Sequence, residues 1–152
     1  VGIGLAVAAF FALRMLSRSS GAHSEQLPGD PQPEDEHIAL VRIEGSLFFG
    51  AAERLLDEIA AQVGAQVIIL RLSTLQIVDS TGANALAELV AGLQHRGATV
   101  LIKGVRPEHH LMLSQLGVIG ALRSEDHLFE ELEPAIELAR KIVRESTSGL
   151  TR

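Results

Sequence analysis

The chain has 152 residues, of which 47% are hydrophobic and only 3% aromatic, and its formal net charge at pH 7 is −6. This length suits one domain plus a further segment, and aliphatic side chains must fill the core. The negative charge and the lack of a Lys/Arg cluster argue against a nucleic-acid partner, because phosphate contacts need clustered cations. The absence of cysteine excludes disulfides, thiolate zinc sites and cysteine nucleophiles.

The first residues, 1–16, are predicted to be the end of a transmembrane helix. Residues 1–13 carry no charge, and Arg14 and Arg18 follow them, an order that places the following segment in the cytoplasm. A signal peptide would instead carry its charges before the apolar run. Thirteen helical residues span about 20 Å, less than the ~30 Å hydrocarbon core, so the chain is expected to be part of a longer protein. A soluble amphipathic helix is the alternative.

A flexible polar linker is predicted for residues 17–36, which contain three prolines and end in an acidic run. Such a composition cannot bury enough apolar surface to fold by itself. The folded domain is expected to cover residues 37–145, and a disordered tail residues 146–152.

Within this domain, strands and helices are predicted to alternate. Strands are expected at 38–43, 67–72 and 99–102, with a turn at 44–45, a short apolar piece at 47–49 and a short edge strand at 121–122. A further strand is expected within the stretch 75–83, where it leads into a helix. Helices are expected at 51–63, 83–95, 107–117 and 126–144, with Pro134 kinking or dividing the last one. This alternation predicts an α/β domain with at least partly parallel strands and crossover helices.

A polar corner, Asp79-Ser80-Thr81-Gly82, lies where a strand leads into a helix. The first interpretation is a capped helix N-terminus, in which a carboxylate or hydroxyl accepts hydrogen bonds from exposed N–H groups. The second is a switch, in which Ser80 or Thr81 accepts a phosphoryl group at the positive end of the helix dipole, beside the repelling charge of Asp79.

The sequence shows no catalytic or metal site, and the protein is expected not to be an enzyme. It has no glycine-rich nucleotide loop, and no histidine is spaced to complete a triad with Asp79 and Ser80. His109 and His110 are adjacent, so on a helix they diverge by about 100° and cannot bind one metal together. They are interpreted as a solvated pair.

Four motifs in order carry a resemblance to a known family. They are the run IEGSLFFGAAE at 43–53, VDSTG at 78–82, RG at 96–97 and GVRP at 104–107. Together they resemble the STAS domain, and more closely the C-terminal STAS domain of SulP-family anion transporters. This resemblance implies a mixed central sheet of four to six strands flanked by about four to five helices. In the similar anti-sigma factor antagonists, the hydroxyl residue before the motif glycine is phosphorylated, and that position here is Thr81.

The resemblance implies a non-catalytic regulatory and protein-interaction domain of a SulP-type transporter of sulfate, bicarbonate or a dicarboxylate. The expected location is the inner cell membrane, with the STAS domain in the cytoplasm and no cofactor. The expected partners are the transporter domain of the same chain, a cytoplasmic regulatory protein and a second copy of the full transporter. The alternatives are a freestanding phospho-switch that binds an anti-sigma-type kinase, and a nucleotide-binding STAS module.

Overall fold

The computed structural model describes residues 21–47, 54, 57, 59 and 64–149. The strands are β1 (Gly21–Glu25), β2 (Ile38–Leu47), β3 (Val67–Arg71), β4 (Leu75–Val78), β5 (Thr99–Lys103) and β6 (Leu128–Phe129). The α-helices bounded within these residues are α1 (Ser80–His95), α2 (Pro107–Gln115), α3 (Val118–Ala121) and α4 (Leu132–Gly149), and 3-10 turns lie at Pro33–His37 and Glu125–His127. The predicted membrane segment at 1–16 lies outside the described residues, as does most of the predicted helix at 51–63, of which Arg54, Asp57 and Ile59 are helical.

The strands form a single mixed sheet. Its order is β1-β2-β3-β5-β6, and β4 pairs with the far end of β2. β1 is antiparallel to β2, whereas the other neighbours are parallel. The described residues form six strands and four α-helices with defined bounds. This confirms the predicted α/β fold with a mixed central sheet.

Helices cover the two faces of this sheet to different extents. On one face, α1 buries the side chains that the helical period predicted, namely Leu86, Leu89, Val90 and Leu93. On the other face, α4 packs Ala135, Ile136, Ala139 and Val143 against Leu40, Ile69 and Leu101. Because both faces of β3 and β5 are covered, these strands are apolar at nearly every position.

β2 is longer than predicted, and the expected turn at 44–45 is wrong. Gly45 has a φ of 81°, and the register shifts between Gly45 and Ser46, which is the geometry of a bulge. The bulge lets β2 leave β3 and continue along β4. A polar residue followed by a glycine, as at Glu44-Gly45, resembles a turn in sequence. A turn and this bulge both place a glycine in the left-handed conformation.

Residues 21–25, which the sequence places in the linker, form β1. Five consecutive residues of β1 pair with β2, and Glu25 contacts Arg42 and Arg71. Composition alone does not reveal this strand, since it depends on partners elsewhere in the chain.

The C-terminal region also differs from prediction. Residues 118–121 are helical, so no strand lies at 121–122, and the edge strand is β6 instead. Pro134 is the third residue of α4, where its missing N–H needs no partner, so it neither kinks nor divides the helix. The same helix continues to Gly149, across most of the predicted tail.

Candidate functional site

The polar corner at residues 79–82 connects β4 to α1, as the sequence predicts. Asp79 is the N-cap residue, with extended backbone angles (φ −101°, ψ −178°). Its Oδ1 accepts a hydrogen bond from the Gly82 N–H at 2.8 Å and another from the Thr81 hydroxyl at 2.6 Å. The corner is therefore a capped helix start, which is the first of the two interpretations.

These hydrogen bonds stabilise the ionised form of Asp79. The Thr81 hydroxyl is the main cause that lowers the pKa of the Asp79 carboxyl below its ordinary value, and the Gly82 N–H adds to it. Both donors favour the charged form because a carboxylate accepts hydrogen bonds more strongly than a carboxylic acid does. At neutral pH the corner presents a fixed negative charge beside a threonine hydroxyl.

Gly82 is required at its position by a close backbone approach. A Cβ atom built on Gly82 would lie 1.9 Å from the carbonyl oxygen of Leu47, at the end of β2. The same carbonyl accepts a hydrogen bond from the Asp79 N–H at 3.4 Å. The first turn of α1 therefore rests directly on the backbone of β2, and only glycine leaves room for it.

The side chains that the corner presents to solvent form a mixed surface. Ser80, Thr81 and Asn84 are exposed, and Ile77 of β4 is 56% exposed. The sequence does not single out Ile77, because an apolar residue in a hydrophobic strand is normally buried. Among the described strands, β4 pairs only with β2, off the main path of the sheet.

The two adjacent histidines do not form the predicted solvated pair. His109 is only 8% exposed, whereas His110, about 100° further round α2, is exposed. Because consecutive helical residues point in different directions, one can be buried while the next is solvated. Across residues 21–47 and 64–149, no group of three His, Asp or Glu side chains could hold a metal ion.

Comparison with known proteins identifies the family. The family model for the STAS domain matches residues 32–135. A protein of Bacillus subtilis (strain 168), named putative sulfate transporter YvdB, is 23% identical over 133 residues, which cover 86% of this chain and 25% of that protein. The chain thus spans about a quarter of the length of this curated relative.

Two solved structures are similar over most of their length. A sulfate transporter family protein from Wolinella succinogenes has 31% identity and a TM-score of 0.61, covering 72% of this chain and 88% of that one. The SulP transporter STAS domain from Vibrio cholerae has 28% identity and a TM-score of 0.62, covering 72% of this chain and 85% of that one.

The chain belongs to the STAS domain family. Within that family it is homologous to the STAS domains of SulP sulfate transporters, as the motifs at 43–53, 78–82, 96–97 and 104–107 predict. Among the described residues, no helix is both long and apolar enough to cross a membrane.

Proposed function

We propose that this chain is the cytoplasmic regulatory and protein-interaction domain of a SulP-type secondary transporter of an inorganic or carboxylate anion. The observation that carries the proposal is the homology to the STAS domains of sulfate transporters, together with the corner at 79–82. On this proposal the domain carries no transport chemistry and no catalysis. Its partners are the membrane domain of the same protein and a cytoplasmic regulatory protein.

Thr81 is the proposed switch residue within the corner. Its hydroxyl is on the surface and donates to Asp79, so phosphorylation would remove that donor and place a charge of about −2 beside the carboxylate. The two anions would repel each other, while the N-terminus of α1 would favour the new charge. The local surface would change sharply, and the core beneath Gly82 would not.

Ser80 is the weaker of the two hydroxyl candidates. It is exposed as the first residue of α1, but the hydrogen bond that lowers the pKa of Asp79 comes from the Thr81 side chain. Modification of Thr81 therefore alters the cap directly. Ile77 supplies an exposed apolar side chain near the charged corner, which suits a surface that binds a partner protein.

Anion uptake by the full-length protein that contains this chain tests the proposal. Proteoliposomes with the wild type, Thr81→Glu and the matched control Ser114→Glu are supplied with labelled sulfate, bicarbonate or a dicarboxylate. We expect uptake of one of these anions, changed severalfold by Thr81→Glu and unchanged by Ser114→Glu, whose site is exposed on α2. Absence of uptake for all three anions would overturn the transporter assignment.

The freestanding phospho-switch is the second candidate, because it would use the same threonine. Residues 18–152, with and without phosphate on Thr81, are titrated against an anti-sigma-type kinase. Nanomolar binding of only the unmodified form would favour this candidate. If neither form binds the kinase, the regulatory domain of a transporter remains the better-supported function. The nucleotide-binding alternative requires a calorimetric signal with GTP or ATP.

A further inference from the structure

A row of charged side chains crosses the sheet on the face that α4 partly covers. Arg42, Arg71 and Lys103 pair in register on β2, β3 and β5, and they are called here the cationic row. The row continues at its two ends with His23 of β1 and Phe129 of β6. One line of side chains therefore runs across all five strands of the main sheet.

The face on which the row lies follows from the strand period. Leu40, Ile69 and Leu101 precede the three cations by two residues each, so they point to the same side of the sheet. These three aliphatic side chains pack against α4. The cationic row lies one step further along the strands, where the side chains of Arg42 and Arg71 are 34% and 28% exposed.

The charges in this row are only partly neutralised. Like charges opposite each other on neighbouring strands destabilise a sheet, so three aligned cations need anions beside them. Glu25 of β1 lies 3.3 Å from Arg42 Nε and 2.8 Å from an Arg71 terminal nitrogen. Glu44 lies 2.7 Å from Arg42 Nε.

Two donors at the β3–β5 side of the row have no acceptor within the described part of the chain. Lys103 belongs to none of the ion pairs found there, and the Nε of Arg71 is buried without a hydrogen-bond partner. Arg71 and Lys103 are directly paired positions of neighbouring strands. A guanidinium and an ammonium group are a usual recognition set for tetrahedral oxyanions, because each charged N–H can bind a different oxygen.

We propose that the cationic row binds an oxyanion of the sulfate or phosphate type, free or as a lipid headgroup, between Arg71 and Lys103. Both Glu25 and the oxyanion would bind the guanidinium of Arg71, so the Glu25 carboxylate competes with the ligand. The site is separate from the corner at 79–82, and it requires neither transport nor phosphorylation of Thr81.

NMR titration of the full 152-residue chain with sodium sulfate, and separately with inorganic phosphate, tests the free-anion form. Ionic strength is held constant with sodium chloride, and the Arg71 side-chain and Lys103 backbone signals are followed. We expect saturable shifts in the wild type. Lys103→Gln should weaken the binding roughly tenfold, the effect of losing one charge-assisted hydrogen bond.

Two further variants separate the site from general charge effects. Glu25→Gln should tighten binding, because it removes the competing carboxylate. Lys141→Gln is the matched control: it loses the same charge from an exposed position on α4 and should leave the affinity unchanged. The spectra of each variant also report whether the chain is folded.

Vesicle sedimentation distinguishes the lipid source. Vesicles of phosphatidylcholine are compared with vesicles that also contain phosphatidic acid, using the wild type, Lys103→Gln and Lys141→Gln. Extra binding to the acidic vesicles that only Lys103→Gln reduces would support a headgroup ligand. Linear shifts that do not saturate would exclude the free-anion form. The proposal is overturned if neither assay separates Lys103→Gln from Lys141→Gln.

Discussion

The corner at 79–82 and the N-terminal segment that contains β1 and the first 3-10 turn are held in place in opposite ways. In the corner, Asp79 binds groups two and three residues away. In the N-terminal segment, Glu25 binds Arg71 across 46 residues, and Asp35 binds Arg140 across 105 residues. The corner can therefore form together with its own helix, whereas the segment needs β3 and α4 to be in place first.

This difference bears on function. A surface whose side-chain hydrogen bonds are local can be modified with little disturbance of distant parts of the fold, which suits the proposed regulatory site. The long-range constraints at the corner are the contact of Gly82 with the Leu47 backbone and the hydrogen bond from the Asp79 N–H to the same Leu47 carbonyl. These two contacts fix where the corner lies, while the side chains of Asp79 and Thr81 determine what it presents.

The largest effect is expected from Gly82→Ala. The added methyl group would overlap the Leu47 carbonyl, and relief requires a shift of α1 or β2, at a cost of about 2 kcal/mol or more in the free energy of unfolding. Gly92→Ala is the control on the same helix, because nothing lies within 4 Å of its added Cβ. It should stabilise the protein by about 0.5–1 kcal/mol through its helix propensity.

Urea unfolding of the two alanine variants measures this contrast. Equal unfolding free energies for Gly82→Ala and Gly92→Ala would show that α1 does not rest on β2 as described.

A smaller effect is expected where the N-terminal segment joins α4. Arg140 donates two hydrogen bonds to Asp35, at 2.8 and 3.0 Å, and both side chains are mostly buried. Arg140→Met should cost about 1 kcal/mol, as for a charge-assisted pair near the surface. Lys141→Gln, one residue further along α4 and 64% exposed, should change the unfolding free energy by less than about 0.5 kcal/mol.

The same ion pair predicts a pH dependence. The hydrogen bond from Arg140 is the main cause that lowers the pKa of Asp35 below its ordinary value. A lowered folded-state pKa gives stability that is present above the unfolded pKa of about 3.9 and is lost as the pH falls through the folded value.

Asp35→Asn tests this sign. The difference in unfolding free energy between the wild type and Asp35→Asn should be largest near neutral pH and should shrink in acid. A difference that stays constant, or grows as the pH falls, would contradict the assigned pair.

The smallest effect is expected from Thr81→Val, which keeps the shape of the side chain and removes the hydroxyl. The pKa of Asp79 should rise towards its ordinary value, because its main hydrogen-bond donor is gone. The Gly82 N–H still caps the helix, so the unfolding midpoint should hardly move. An NMR pH titration of Asp79 measures the shift, and an unchanged pKa would show that Thr81 does not donate to it.

The same contrast explains which features the sequence could predict. The start of α1 and the ends of α1 and α2 are set by neighbouring residues: a capping carboxylate at 79, Gly97 with a φ of 96° and Gly117 with a φ of 84°. The pattern of 79–82 therefore predicts a cap after a strand, although α1 begins at Ser80, three residues before the helix predicted at 83–95. The STAS family follows from four such local motifs in order.

The features that were missed depend on distant partners. β6 has only two residues and pairs with Ile102 and Lys103 at the free edge of β5. β1 is polar and forms through its backbone register with β2. The 56% exposure of Ile77 likewise depends on what packs over its face of β4 and not on its neighbours in sequence. No local pattern encodes any of these, because each is decided by the assembled sheet.

The most direct test of the central claim measures the stability and the uptake activity of Thr81→Glu in parallel. We expect an unfolding free energy within about 0.5 kcal/mol of the wild type, since the substitution is on the surface, together with a severalfold change in anion uptake. A loss of several kcal/mol with unchanged uptake would contradict it, and the corner would then be a helix cap and not a switch.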